Sequence, residues 1–174
     1  MKLRAHAGFT LIELMVGLAI AVILLVLAVP VYSTWVADTQ LLTAAQSIAE
    51  GVKVAQAEAI KRNTNVEFTI SATGWTVQTP GAATLKTNVF KEGSYYPTLG
   101  KTPALSTTVT FNSLGMVETA NAPPAPPAPL SAVGITMASS TRPATGLRVE
   151  INFGRVRICD PYWTTVNAAD PKAC

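Results

Sequence analysis

Glu13 poses the clearest chemical problem in this chain. It lies five residues past Gly8, behind a short leader carrying Lys2 and Arg4, and no further charge appears until Asp38. The 24 uncharged residues 14–37, at about 1.5 Å per helical residue, are long enough to cross a hydrocarbon core of roughly 30 Å. An ionised carboxylate inside a bilayer costs about 2.5–3.5 kcal/mol even on lenient scales, so Glu13 calls for a partner. A cut after Gly8 would create one. Phe9 would then carry a new α-amino group one helical turn away, in reach of that carboxylate or of its copy on a packed neighbour. An ordinary secretory signal shares the basic start and apolar run, with Leu27-Ala28-Val29 as a small-residue region for cleavage; an uncut single-pass anchor is a further alternative. The acid at the opening and the length of the span argue for the cut at Gly8.

The rest of the chain offers little for catalysis. The only histidine, His6, sits in the leader, so a chain cut after Gly8 has no Ser-His or Cys-His pair and no zinc-type spacing. We therefore expect no enzyme, no cofactor and no metal, and read Glu58 and Glu67 as solvated surface charges. Loss of Lys2 and Arg4 leaves 11 basic residues against 10 acids, so global charge predicts no polyanion partner.

Local charge does. Arg142, Arg148, Arg155 and Arg157 are four of the six arginines, gathered within 16 residues and accompanied by Glu150 alone. If 155–159 is a strand, Arg155 and Arg157 point the same way about 7 Å apart while Val156 and Ile158 face the core. Such a pair suits bidentate contact with phosphate, and nearby Tyr162 and Trp163 are placed to stack on exposed bases. A solvated strand face that happens to carry two arginines is the plain alternative. Cys159 and Cys174 are the only cysteines. With the basic leader inside, the domain faces the oxidising side, where two thiols pair; a loop of this size contributes about 3 kcal/mol by chain entropy and pins the tail. Redox catalysis lacks its Cys-x-x-Cys spacing.

These groups need elements to hold them. Leu41, Ala45, Ile48, Val52, Ala55 and Ala59 follow helical spacing, with Gln46, Glu50, Lys53 and Lys61 opposite, so the apolar helix is expected to continue out of the membrane. Glu58 and Arg62 add an i,i+4 pair, and Asn63-Thr64-Asn65 reads as the stop. A helix from Phe9 to about Arg62 would be roughly 80 Å long. Strands are expected at 66–70 and 75–78, joined as a hairpin, and near 85–91, 108–111, 116–118, 133–138, 147–152 and 155–159, with a turn at Asn112-Ser113-Leu114-Gly115. One long helix followed only by strands predicts an α+β fold with an antiparallel sheet, since no helical crossovers remain for parallel pairing. Trp75, Phe111 and Phe153 are expected in its core. Residues 122–129 hold five prolines, which fits an extended surface loop, with a ligand for a partner's groove as the alternative.

The N-terminal pattern (basic leader, Gly8, Phe9, three residues, Glu13, apolar run) resembles the class III signal of type IV prepilins and type II secretion pseudopilins. Pro30 matches the proline at which pilin helices bend. Residues 55–63, Val66, Gly74-Trp75, the turn after Phe111 and Gly154-Arg155-Val156-Arg157-Ile158-Cys159 narrow the resemblance to the FimT/GspH family of minor pilins and pseudopilins; the proline tract departs from its pattern. The resemblance implies a type IV pilin-like fold, with a leader at 1–8, a transmembrane and assembly half-helix at 9–37 and an exported domain at 38–174. It implies cleavage by prepilin peptidase between Gly8 and Phe9, N-methylation of Phe9, and assembly with other subunits through Glu13 and Pro30. The inner membrane would hold the protein before assembly, and a pilus or pseudopilus at the periplasm or cell surface after it. Gly-Arg-Val-Arg resembles the element with which FimT-type minor pilins capture DNA for uptake, which would give Arg155 and Arg157 that role. A minor pseudopilin of type II secretion, working without DNA, is the alternative, and an abundant pilus subunit is a third.

Overall fold

A computed structural model describes residues 9–81, 84–90, 97–118, 128–136, 146–167 and 169–174, with backbone only at 30, 31 and 163–165. Helix α1 runs Leu11–Arg62, about 80 Å. Thr10 caps its start. The Thr10 hydroxyl accepts from the Glu13 backbone N–H at 3.3 Å, and the Glu13 carboxylate accepts from the Thr10 N–H at 3.0 Å, closing a capping box. The helix stops at Asn63, which takes the left-handed conformation (φ 50°) and returns its N–H to the carbonyls of Ala59 and Ile60. Glu58 sits one turn before, 2.6 Å from Arg62, and the guanidinium hydrogen bond holds its carboxyl below the usual carboxylate range.

Residues 11–29 of α1 are exposed throughout, and this stretch is long and apolar enough to cross a membrane. The helix continues unbroken in secondary structure through Pro30, which has no N–H to give the preceding turn. Burial begins at Ala37. Beyond it, all six positions expected on the buried stripe, from Leu41 to Ala59, are fully buried.

Two four-stranded antiparallel sheets cover that stripe where one sheet was expected. The first has the order β3-β2-β1-β5, with β1 Val66–Ser71, β2 Gly74–Gln78, β3 Thr84–Val89 and β5 Thr108–Phe111. The second is β4-β6-β7-β8, with β4 Thr98–Thr102, β6 Ala132–Thr136, β7 Leu147–Asn152 and β8 Arg155–Cys159. Backbone bonds from Leu130 to Thr108 (3.0 Å) and from Ile151 to Ser131 (2.7 Å) stitch the region between them, and their inner faces share one core with the helix. β4 escaped the sequence reading because Leu99 is its sole large apolar residue; it is recruited by pairing with β6. The strand expected at 116–118 is a single bridge from Val117 to Phe111. A short helix α2, Pro161–Val166, follows β8, with Pro at its first position where no N–H is needed. Most of the proline tract lies outside the described residues.

Helix and sheet approach closely at Gly51. A Cβ there would sit 2.7 Å from the Trp75 ring and 2.8 Å from Phe68. Trp75 is buried, and its indole N–H donates to Ser47 on the helix at 3.0 Å, so its polar tip is satisfied. Gly51→Val should therefore overpack this contact and cost about 1–3 kcal/mol, read as a lowered thermal midpoint; an unchanged midpoint would show that the ring has room to move.

Candidate functional site

The arginine cluster is carried by the hairpin β7–β8. Register pairs Asn152 with Arg155, Glu150 with Arg157 and Arg148 with Cys159, so these six side chains share the face turned away from the helix. The opposite set alternates inward: Leu147, Val149 and Ile151 are buried, and Val156 and Ile158 pack against the core. This alternation fixes Arg155 and Arg157 in solvent, both exposed, two residues apart on the edge strand of the second sheet. Among the described residues no acid lies within ion-pair distance of either. Glu150 instead leans toward Arg148, 4.0 Å away. The face thus carries three cations and one anion, and its uncompensated charge lies at the β8 edge. A charged edge strand also guards a sheet against pairing with another chain.

The hairpin closes through Phe153 and Gly154, at φ 48° and 84°, the positive pair that two-residue turns matching the strand twist require. A side chain at Gly154 is forbidden twice, by its φ and by the Gly115 carbonyl oxygen, 2.8 Å from where a Cβ would stand. Gln56 of α1 donates to that same carbonyl at 2.8 Å, so helix, hairpin tip and the turn at Gly115 are tied together. Phe153 was expected in the core. It is 86% exposed, because as a turn residue it belongs to neither face of the strand alternation.

After β8 the chain is fastened. Cys159 and Cys174 form a disulfide, with Cα atoms 5.1 Å apart, and Asp160 pairs with Ala173, its N–H donating to the Lys172 carbonyl at 2.8 Å. Glu150 lies close to both sulfurs, but the disulfide leaves no thiolate to join it as a metal ligand. Tyr162, the second residue of α2, is exposed, its backbone N–H donating to the Asp160 carboxylate at 3.0 Å. The side chain of Trp163 lies outside what is described, as do Gly8 and Arg142 altogether. The structure therefore unites Arg148, Arg155, Arg157 and the disulfide in one hairpin, with Tyr162 following it in the chain.

At the other end of the molecule Phe9 is exposed, and Glu13 is already engaged by Thr10. Glu13 thus has a partner besides any new terminus at Phe9. The signal for the second partner was present as Thr10-Leu11-Ile12-Glu13, the spacing of a capping box.

Comparison with known proteins gives two family matches, to the type II transport protein GspH over residues 44–155 and to the prokaryotic N-terminal methylation motif over 3–29. Among solved structures, the type IV minor pilin FimU of Pseudomonas aeruginosa strain PAO1 aligns at 16% identity over 69% of this chain and 88% of that one, with a TM-score of 0.49. A second crystal form of it aligns at 15% over 67% and 90%, with a TM-score of 0.45. No curated protein sequence matches.

The closed tail is open to a direct check. Thiol labelling of the denatured, unreduced protein should find no free thiol at Cys159 or Cys174, and two after reduction. Labelling without reductant would overturn the fastened tail.

Proposed function

The chain belongs to the type II transport protein GspH family, and from that premise we propose that it is a minor pilin of a type IV pilus that captures extracellular DNA during uptake. The observation that carries the DNA reading is the pair Arg155 and Arg157, exposed on an edge strand with no acid within ion-pair distance among the described residues. Guanidinium groups fixed by a strand grip phosphates without reading bases, so affinity should be modest and nearly independent of sequence.

The apolar half of α1 supports the anchoring part of the proposal. Peptidase cleavage after Gly8 and methylation of Phe9 would free an N-terminus beside Glu13. The helix up to residue 37 would hold the protein in the inner membrane and then pack among other pilin subunits in the filament, with Pro30 loosening it where the fibre needs a bend. Burial that starts at Ala37 leaves the earlier apolar surface without cover from the chain's own sheets, which is what a segment assigned to lipid or neighbours requires.

A second reading has its own support. The family's description points to secretion, and an H-type pseudopilin of the type II system would use the same anchor and assembly without nucleic acid. On that reading Arg155 and Arg157 protect the sheet edge.

DNA binding separates the two. A fragment from Asp38 onward, which keeps every buried core residue except Ala37, should bind duplex DNA with log affinity falling against log salt at a slope of about −2 to −4. Arg155→Ala with Arg157→Ala should remove most of the binding. Glu150→Gln should tighten it, since the carboxylate opposite Arg157 repels phosphate, and changing Lys53 and Lys61 on the helix should matter little. No salt-sensitive binding, or a double variant equal to its parent, would leave the secretion reading standing. Processing is tested separately: mass spectrometry of membrane or filament protein should find a chain starting at Phe9 and methylated there, whereas a terminus near residue 29 or 30 would refute it. Glu13→Ala should insert more easily and assemble poorly, because the incoming terminus loses its counter-charge.

A further inference from the structure

Phe153 breaks two rules at one position. A large ring stands 86% exposed, and its backbone is held at φ 48°, where a bulky side chain is an outlier. The first central position of such a turn favours Asn, which tolerates positive φ and likes water. An Asn here would remove both costs and keep the hairpin. Retention of an exposed, strained aromatic where a cheaper residue fits is the kind of local conflict that marks a functional position.

Its surroundings say what the ring meets. Phe153 caps the hairpin whose outer face begins with Asn152 and Arg155 side by side and continues to Arg157. An exposed ring two residues before Arg155 and four before Arg157, neither with an acid in ion-pair distance among the described residues, has the two components of a single-strand platform: cations for the phosphates and a π face for the bases. Duplex DNA hides its base faces, so the ring adds nothing to duplex binding. We propose that Phe153 is a stacking platform for unpaired bases, making the β7–β8 hairpin a site for single-stranded DNA in preference to duplex. This rests on the DNA-capture reading above and adds to it the form of DNA that is held.

A neighbouring turn presents further apolar groups, Leu114 and Met116, both exposed. They join the tip through Gly115 and Gly154. A contact with another protein subunit would use this apolar rim together with Phe153, and the test distinguishes that occupant.

The whole chain in detergent micelles is titrated into a fluorescein-labelled oligothymidine and into a duplex of equal length, with fluorescence anisotropy as the readout. The parent should bind the single strand more tightly than the duplex. Phe153→Asn, which relieves the turn and so should fold at least as well, should weaken single-strand binding by about 5- to 100-fold and leave duplex binding within about two-fold. Phe153→Trp should keep the preference. If Phe153→Asn binds the single strand as the parent does while Arg155→Ala with Arg157→Ala still abolishes binding, the platform is overturned and DNA capture survives. If the parent binds neither DNA, both fall. If Phe153→Asn spares DNA binding but abolishes incorporation into filaments, the ring is a subunit contact and the platform is overturned.

Discussion

Everything beyond Ala37 follows from the need to cover one side of an overlong helix. The stripe from Leu41 to Ala59 is small and aliphatic, rich in alanine, and such a stripe gains most when large rings come down onto it. Gly51 allows that approach by leaving no Cβ between the helix and the rings of Trp75 and Phe68. Both four-stranded sheets share in that covering, and their inner faces meet the helix in one core. The first sheet supplies aromatic bulk and the second supplies Val133, Ile135, Val149 and Ile151. The orientation of the arginine hairpin is a by-product of this packing: once Val149 and Ile151 point at the helix, their alternate neighbours must point away.

Much of this was legible from residue spacing. Helical periodicity carried the whole of α1, down to its stop at Asn63, because caps and a 3.6-residue pattern are local signals. Strands 108–111, 147–152 and 155–159 were legible to the residue, since each alternates cleanly. β4 was not, because a strand of Thr, Gly and Lys owes its conformation to the partner beside it rather than to its own composition. The division into two sheets was likewise hidden, as strand order depends on long-range pairing that no local pattern encodes.

The site was legible in a similarly divided way. The outward pair Arg155 and Arg157 followed from period-two alternation, and the disulfide from there being one pair to make. Phe153 was not legible by hydrophobicity, because its place between two strands with Gly next to it makes it a turn residue. Glu13 stands out by charge, while its second partner is legible only from the capping-box spacing back to Thr10. In each case the missed information was backbone geometry: a turn needing positive φ, and a helix start with free N–H groups.

The bond between Cys159 and Cys174 also changes what damage to the tail means. Residues 160–173 include α2 and several exposed positions, the sort of surface at which a protease makes its first cut. In an open chain a cut there would shed the C-terminus and uncover the end of β8. Here a single cut converts a ring into two arms that remain covalently joined, and the parallel contact between Asp160 and Ala173 persists beside the junction. Only a second cut can release material, so the end of β8 at Cys159 keeps its cover through one break in the chain.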